Sequence, residues 1–284
     1  MPNSKIIRTT PETQGEIAWL QPVGTLGKLT AEAWDRSRAL EAKRDAEGLT
    51  PDLGLVRPSM EKALRRENVA VIAEIKRRSP SKGAINPDID AAEQARLYAA
   101  GGAAALSVLT EPTSFGGANE DIGRARGAEL PILKKDFHVS EVQLVEAQAL
   151  GASAALIIVR AIDPIHLADL ADFAREIDLE LLFEVRDESE LERALRVGAR
   201  MIGVNNRNLE TLIIDPETVS RIVPLIPSPC VAIAESGYST AADVAKAADA
   251  GADAVLIGSA LSASTDPSAA VTLLSKVARH PRQD

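Results

Sequence analysis

From residue 69 onward the chain alternates eight short apolar runs with longer amphipathic stretches bearing Ala, Glu and Arg, and this rhythm limits the fold more than any other feature. The runs are VAVIAEIK (69–76), AALSVL (104–109), PILKKDF (131–137), AALIIV (154–159), LLFEV (181–185), MIGVNN (201–206), CVAIAES (230–236) and AVLIG (254–258). Near-continuous apolar runs mark strands buried on both faces, and the helical stretches between them are the crossovers that parallel strands require. Eight such units are the number that closes a barrel. A doubly wound open sheet has room for eight strands too, but no GxGxxG follows the first run.

A second regularity supports closure. Gly102-Ala103, Gly151-Ala152, Gly198-Ala199 and Gly251-Ala252 each end a helical stretch just before a strand, roughly fifty residues apart, about two βα units. Glycine past the last helical turn adopts the left-handed cap and returns the chain quickly to the sheet. The fold class is therefore α/β, a (β/α)₈ TIM barrel over residues 66–284. An N-terminal helical extension, residues 1–65, packs on that barrel within a single domain. In the extension LTAEAWDRSRALEAKRDAEG and PSMEKALRRE read as helices, with Thr30 and Ser59 as N-caps and Gly48 ending the first. Residues 1 to about 25 read as loosely ordered.

Composition narrows the partners. Only 3% of residues are aromatic against 45% hydrophobic overall, so the core is aliphatic. Cys230 is the sole cysteine, and His138, His166 and His280 lie far apart, so neither a disulfide framework nor a Cys- or His-based metal site is favoured. His138 and His166, each without a partner cluster, and Cys230 inside an apolar run read as structural. A net charge of -9 disfavours nucleic acid, whose phosphates need a basic surface. The N-terminus has no apolar signal segment and no run of about 18 apolar residues follows, so a cytoplasmic protein without a membrane partner is expected.

Chemistry in such barrels gathers at the carboxyl ends of the strands. Those ends carry Glu74 and Lys76, Lys135 and Asp136, Glu184, Asn205, Asn206 and Arg207, Glu235 and Ser236, and finally Gly258 and Ser259. Any one ionisable group there serves equally as part of an ion pair plugging the mouth, but two lysines and three glutamates from separate strands favour an acid–base site. Ser236-Gly237 and Gly258-Ser259 follow the last two strands, where backbone N–H groups commonly hold phosphate. The loop RRSPSKG (77–83) is expected to be mobile and to help enclose an anionic ligand.

These runs are also familiar as words. IAEIKRRSPSKG, SVLTEPTSFGG, PILKKDF, LLFEV, IGVNNRNLETL, AESGYST and VLIGSAL resemble, in this order over roughly residues 60 to 262, the motifs of indole-3-glycerol-phosphate synthases. The helical segment ahead of the barrel resembles that family too. The resemblance implies conversion of 1-(2-carboxyphenylamino)-1-deoxyribulose 5-phosphate to indole-3-glycerol phosphate, carbon dioxide and water, with no cofactor. It makes Lys135 the general acid, Glu184 the acid/base glutamate, Glu74 and Lys76 the first-strand pair, and Asn205 and Arg207 the strand-six polar group. Ser236, Gly237, Gly258 and Ser259 match its phosphate turns, and Ser79 and Ser81 its first loop. Apart from the resemblance, Glu74 and Glu235 are expected either to hold the lysines by charge pairing or to join the proton relay, with Glu235 counted among the substrate-binding residues. Asn208 stands where that family commonly has aspartate and Tyr238 where it has an aliphatic residue.

The expected partner is thus a small phosphorylated molecule, with monomer and homodimer both open. Two other enzymes use parts of the same pattern. A Schiff-base lyase or aldolase also needs a barrel lysine near glutamates, and a phosphate-binding isomerase shares the late turns. A catalytically silent relative would bind the same ligand without turnover.

Overall fold

The computed structural model describes residues 19–282. Eight parallel strands close into a barrel: β1 (Ala70–Ile75), β2 (Ala105–Leu109), β3 (Ile132–Lys135), β4 (Ala154–Ile158), β5 (Glu180–Val185), β6 (Met201–Asn205), β7 (Val231–Glu235) and β8 (Ala254–Ile257). Each pairs with its neighbour in sequence, and β8 returns to β1 through Ala70↔Ala254 and Ala73↔Ile257. Every expected apolar run coincides with one strand, β5 starting one residue ahead of its run at Glu180. Closure leaves no unpaired sheet edge, which explains why nearly all strand residues are buried.

The turns that feed the strands follow the glycine rhythm. Gly102, Gly151, Gly198 and Gly251 all hold positive φ, between 79° and 92°, a region open to glycine at little strain. At the other ends of the helices, side-chain oxygens accept the first free N–H groups. Asp163 serves Pro164–Glu176, Asp187 serves Glu188–Arg196, and Thr240 with Asp243 forms a full capping box on Ala241–Asp249.

Two helices precede the barrel strands, α1 (Gly24–Glu47) and α2 (Met60–Leu64). Gly48 ends α1 in the left-handed conformation, and the Ser59 hydroxyl caps α2 by accepting from Lys62 N, both as expected. Thr30 is not a cap. It lies inside α1, nearly buried, because the helix starts at Gly24 where the loop after β6 pins it. Thr25 N donates to Glu210 O at 3.0 Å, and a Cβ on Gly24 would fall 2.3 Å from that same oxygen. Just before the helix, the Trp19 indole donates to Arg160 O and Arg160 donates to Leu20 O. Residues 19–25 are thus tied down, contrary to the loose segment expected there. Residues 1–18 of that segment lie outside the described residues. Leu26 and Leu29 enter the hydrophobic core, and the tie of Thr25 to the loop after β6 sets the start of α1 at the carboxyl-terminal mouth.

Candidate active site

The period of two along a strand separates the adjacent lysines of PILKKDF. Lys134 points away from the lumen and pairs with Glu146 at 3.1 Å and Asp136 at 3.6 Å. Lys135 points inward, where its Nζ donates to Glu184 Oε2 at 3.0 Å and to Glu235 Oε2 at 2.8 Å. Glu74, Lys135, Glu184 and Glu235 are the last or next-to-last residues of β1, β3, β5 and β7, so alternate strands supply four side chains to one level of the lumen. Lower levels of such barrels are filled by bulky aliphatic residues in that same alternation. Here the uppermost level is ionic.

Two glycines make room for it. A Cβ on Gly203 would lie 2.1 Å from Glu235 Oε1, and a Cβ on Gly258 would lie 2.1 Å from Glu74 Oε1. Gly258 was expected to serve a phosphate turn; what its bare backbone is seen to do is seat the first-strand glutamate. Glu74 meets Lys76 Nζ at 3.2 Å and accepts from Ser107 Oγ at 3.3 Å. Asn205 Nδ2 donates to Glu184 Oε1 at 2.9 Å, fixing that carboxylate while its other oxygen faces Lys135. Burial pulls the Lys135 ammonium down, but Glu235, Glu184 and Glu74 outweigh it and hold the group protonated, above its ordinary range. Burial pushes Glu235 up to about 7 despite the lysine's attraction, helped by the charge of Glu184. Its Oε1 has no hydrogen-bond partner among the described residues.

Above this floor opens a cavity of about 480 Å³. It brings together Glu74, Lys76, Ser79, Ser81, Lys135, Asp136, Glu184, Asn205, Arg207, Glu235, Ser236, Gly237, Gly258 and Ser259, while Asn206 of the strand ends lies outside its lining. Ser236 and Gly237 take consecutive positive φ of 66° and 92° in the turn after β7, and both line the cavity. Arg207 donates to Leu212 O at 2.8 Å, and its backbone N–H meets Asn205 Oδ1 at 2.9 Å. The first loop contains a short antiparallel hairpin, Arg78–Ser79 with Gly83–Ala84. Arg77 anchors it through Asp121 and Ile89 O, and the buried Ser79 hydroxyl accepts from Lys82 N.

Sequence reasoning missed the apolar wall. Phe115 and Phe137 lie 6.3 Å apart, Lys76 Nζ sits 5.8 Å from the Phe115 centroid, and Leu109, Leu209, Ile214 and Leu29 of α1 complete the surface. Phenylalanine is scarce in this chain, and two in the loops that follow the second and third strands were the available signal. Tyr238 also lines the cavity, with Asn206 Nδ2 donating to its hydroxyl at 3.3 Å. Asn208 shapes the β6 loop by accepting from Glu210 N and Thr211 N, a role an aspartate oxygen fills equally. The residues read as structural are bonded accordingly. His138 Nδ1 meets Leu156 O, with burial, then the Lys134 charge, holding it neutral at about 3. His166 meets Val139 O, and Cys230 Sγ meets Ala199 O.

A smaller cavity of about 110 Å³ lies behind Glu184 and Asn205. Glu190 lines it, accepting from Arg186 N at 2.7 Å, and burial, then Asp187, pushes its carboxyl up to about 8.

A family profile described as indole-3-glycerol phosphate synthase matches residues 35–274. Among curated proteins, an indole-3-glycerol phosphate synthase of Nocardioides sp. is 51% identical over 214 residues, covering 75% of this chain and 82% of that protein. A protein of the same name from Streptomyces griseus subsp. griseus is 49% identical over 220 residues, 77% of this chain and 82% of its own. Among solved structures, a thiamine phosphate pyrophosphorylase from Pyrococcus furiosus shares the fold alone, with a TM-score of 0.56 at 17% identity over 75% of this chain and 96% of that one.

Proposed function

The chain belongs to the indole-3-glycerol phosphate synthase family, and on that footing we propose how the residues of its cavity divide the work. The enzyme is a carbon–carbon lyase of tryptophan biosynthesis. It closes, decarboxylates and dehydrates 1-(2-carboxyphenylamino)-1-deoxyribulose 5-phosphate, giving indole-3-glycerol phosphate, carbon dioxide and water.

One observation carries the assignment: an ammonium held protonated between two carboxylates, at the floor of a cavity with one apolar wall. Ring closure makes the substrate ketone an electrophile, and the developing oxyanion needs a cationic donor. Lys135 supplies it, donating to the ketone oxygen while the aromatic carbon bearing the carboxylate attacks. The substrate ring lies against Phe115 and Phe137. Lys76 and Arg207 hold the benzoate carboxylate, so that carbon dioxide departs from a fixed orientation. Glu184, steadied by Asn205, then removes a proton as a cavity ammonium donates to the departing hydroxyl, which leaves as water. Glu74 and Glu235 keep the two lysines charged and in place.

The phosphate sits at the other end of the cavity, on the N–H groups around Ser236-Gly237 and Gly258-Ser259, with Ser79 and Ser81 of the hairpin closing over it. No cofactor takes part in these steps. No helix among the described residues is long and apolar enough to cross a membrane, and we place the enzyme in the cytoplasm.

The test is indole absorbance and fluorescence on mixing purified protein with the substrate, run beside Lys135→Ala. Loss on the order of 10²-fold or more in kcat is expected, the range of a positioned acid. Wild-type turnover in that variant would remove Lys135 from the mechanism. Borohydride added with substrate should trap no imine, which separates this chemistry from that of a Schiff-base lyase.

A further inference from the structure

Phe115 and Phe137 arrive at the cavity on different loops, yet both are fixed in the same way. Glu111 follows β2 and is fully buried. Its carboxylate accepts three backbone N–H groups, from Thr113 at 3.0 Å, Ser114 at 2.6 Å and Phe115 at 3.0 Å. Its carbonyl accepts from Gly117 N at 2.9 Å, and Gly117 lies so close to the strand that a Cβ there would meet Leu109 O at 2.2 Å. The loop is therefore wound around the Glu111 side chain, with Phe115 as its last wrapped residue. Asp136 follows β3 and accepts from Phe137 N at 2.8 Å and from Thr110 Oγ1 at 2.9 Å.

Both carboxylates meet the same guanidinium from outside the barrel, and Asp136 also meets Lys134 Nζ at 3.6 Å through its other oxygen. Arg36 of α1 places Nη2 2.8 Å from Asp136 Oδ1 and Nη1 3.7 Å from Glu111 Oε1. A planar guanidinium presents donors in a fixed fork, so it holds two acceptors at a set separation where an ammonium on a flexible stem does not. One residue further along, Ser37 Oγ lies 2.6 Å from Ser140 Oγ, which fixes the helix over the same loop.

We propose that Arg36 is a positioning residue for the aromatic wall: its guanidinium ties together the two buried carboxylates that place Phe115 and Phe137, and so sets the width of the slot for the substrate ring. The proposal deepens the site described above and rests on the ring lying against those two phenylalanines. Arg36 itself touches no reacting atom. Its loss loosens the slot and acts on substrate affinity and ring selectivity, and the proton-transfer groups stay where they are.

The experiment measures KM and kcat for wild type, Arg36→Met, Arg36→Lys and Phe115→Leu, with the natural substrate and with one carrying an added ring methyl. Arg36→Met should raise KM about tenfold with kcat within about threefold, the pattern of lost uniform binding, and should discriminate less against the methylated ring. Arg36→Lys should fall between Met and wild type, and millimolar guanidinium added to Arg36→Ala should lower its KM. Should Arg36→Met fail to fold, Arg36→Lys carries the same comparison. If Phe115→Leu raises KM while the Arg36 variants keep wild-type KM and selectivity, the proposed link is wrong and the ring seat stands. If Phe115→Leu leaves KM and selectivity unchanged, the ring seat itself is wrong. A lowered kcat at unchanged KM in the Arg36 variants also overturns the proposal.

Discussion

Gly203→Ala asks whether the bare backbone under Glu235 is there for catalysis. The added methyl would lie 2.1 Å from Glu235 Oε1, whereas ordinary contact begins at 3.4 Å, so the oxygen must retreat by about 1.3 Å. What it meets is the far end of a flexible side chain, and the strand can stay in place. The overpacking should cost about 1 to 3 kcal/mol, leaving a folded barrel. The carboxylate cannot retreat without straining its 2.8 Å contact to Lys135, and displacement of a catalytic group by about 1 Å is enough to lower a rate on the order of 10²-fold. We therefore expect kcat to fall by about that factor while far-UV circular dichroism is unchanged and melting shifts by only several degrees. Shortening the acid in the same background, Gly203→Ala with Glu235→Asp, should recover part of the loss. The continuous indole fluorescence assay decides it. A Gly203→Ala enzyme within about threefold of wild type would refute the claim that this glycine exists to seat Glu235.

Gly258→Ala should act likewise on Glu74, whose Oε1 would meet the new methyl at 2.1 Å, and lower kcat about tenfold or more through Lys76, read in the same assay. Glu190→Gln should change the pH dependence of stability. In the folded protein this carboxyl titrates at about 8, above its ordinary 4.5, so the unfolded chain gives up a proton that the folded chain keeps. Wild-type stability on this account falls as pH rises from about 4.5 to 8 and then levels, and Glu190→Gln should flatten that decline by at least about 1 kcal/mol, or about 2 °C or more in Tm. Parallel melting profiles for the two proteins would count against a protonated Glu190.

The sequence disclosed what depends on neighbours along the chain. The strands follow from runs whose burial needs no partner information beyond the alternation itself, and Gly102, Gly151, Gly198 and Gly251 announce their turns because only a local conformational demand is involved. Ser59 and Gly48 are legible for the same reason. Thr30 misled because the start of α1 is decided by Glu210, which is remote in sequence and takes the N–H of Thr25. The polar strand ends were visible one by one, and their common level in the lumen follows from barrel geometry. What stayed hidden were relations across the fold. Gly203 reads as an ordinary strand glycine until Glu235 is placed beside it, and Glu111 reads as a loop acid until three N–H groups close around it. The apolar wall was hidden for the same reason, since Phe115 and Phe137 stand on separate loops.

The ionic level formed by Glu74, Lys135, Glu184 and Glu235 bears on how this protein can change. A chain selected for folding alone would fill those positions with Val, Ile or Leu, and burying four charged side chains instead is usually the less stable choice. The apolar levels beneath must supply the surplus. Substitutions at Leu133, Leu182 or Ile233 that leave every site residue untouched therefore draw on the margin that keeps the charged level assembled. Attempts to redirect the chemistry by repopulating those four positions will succeed most readily in barrels first stabilised from below.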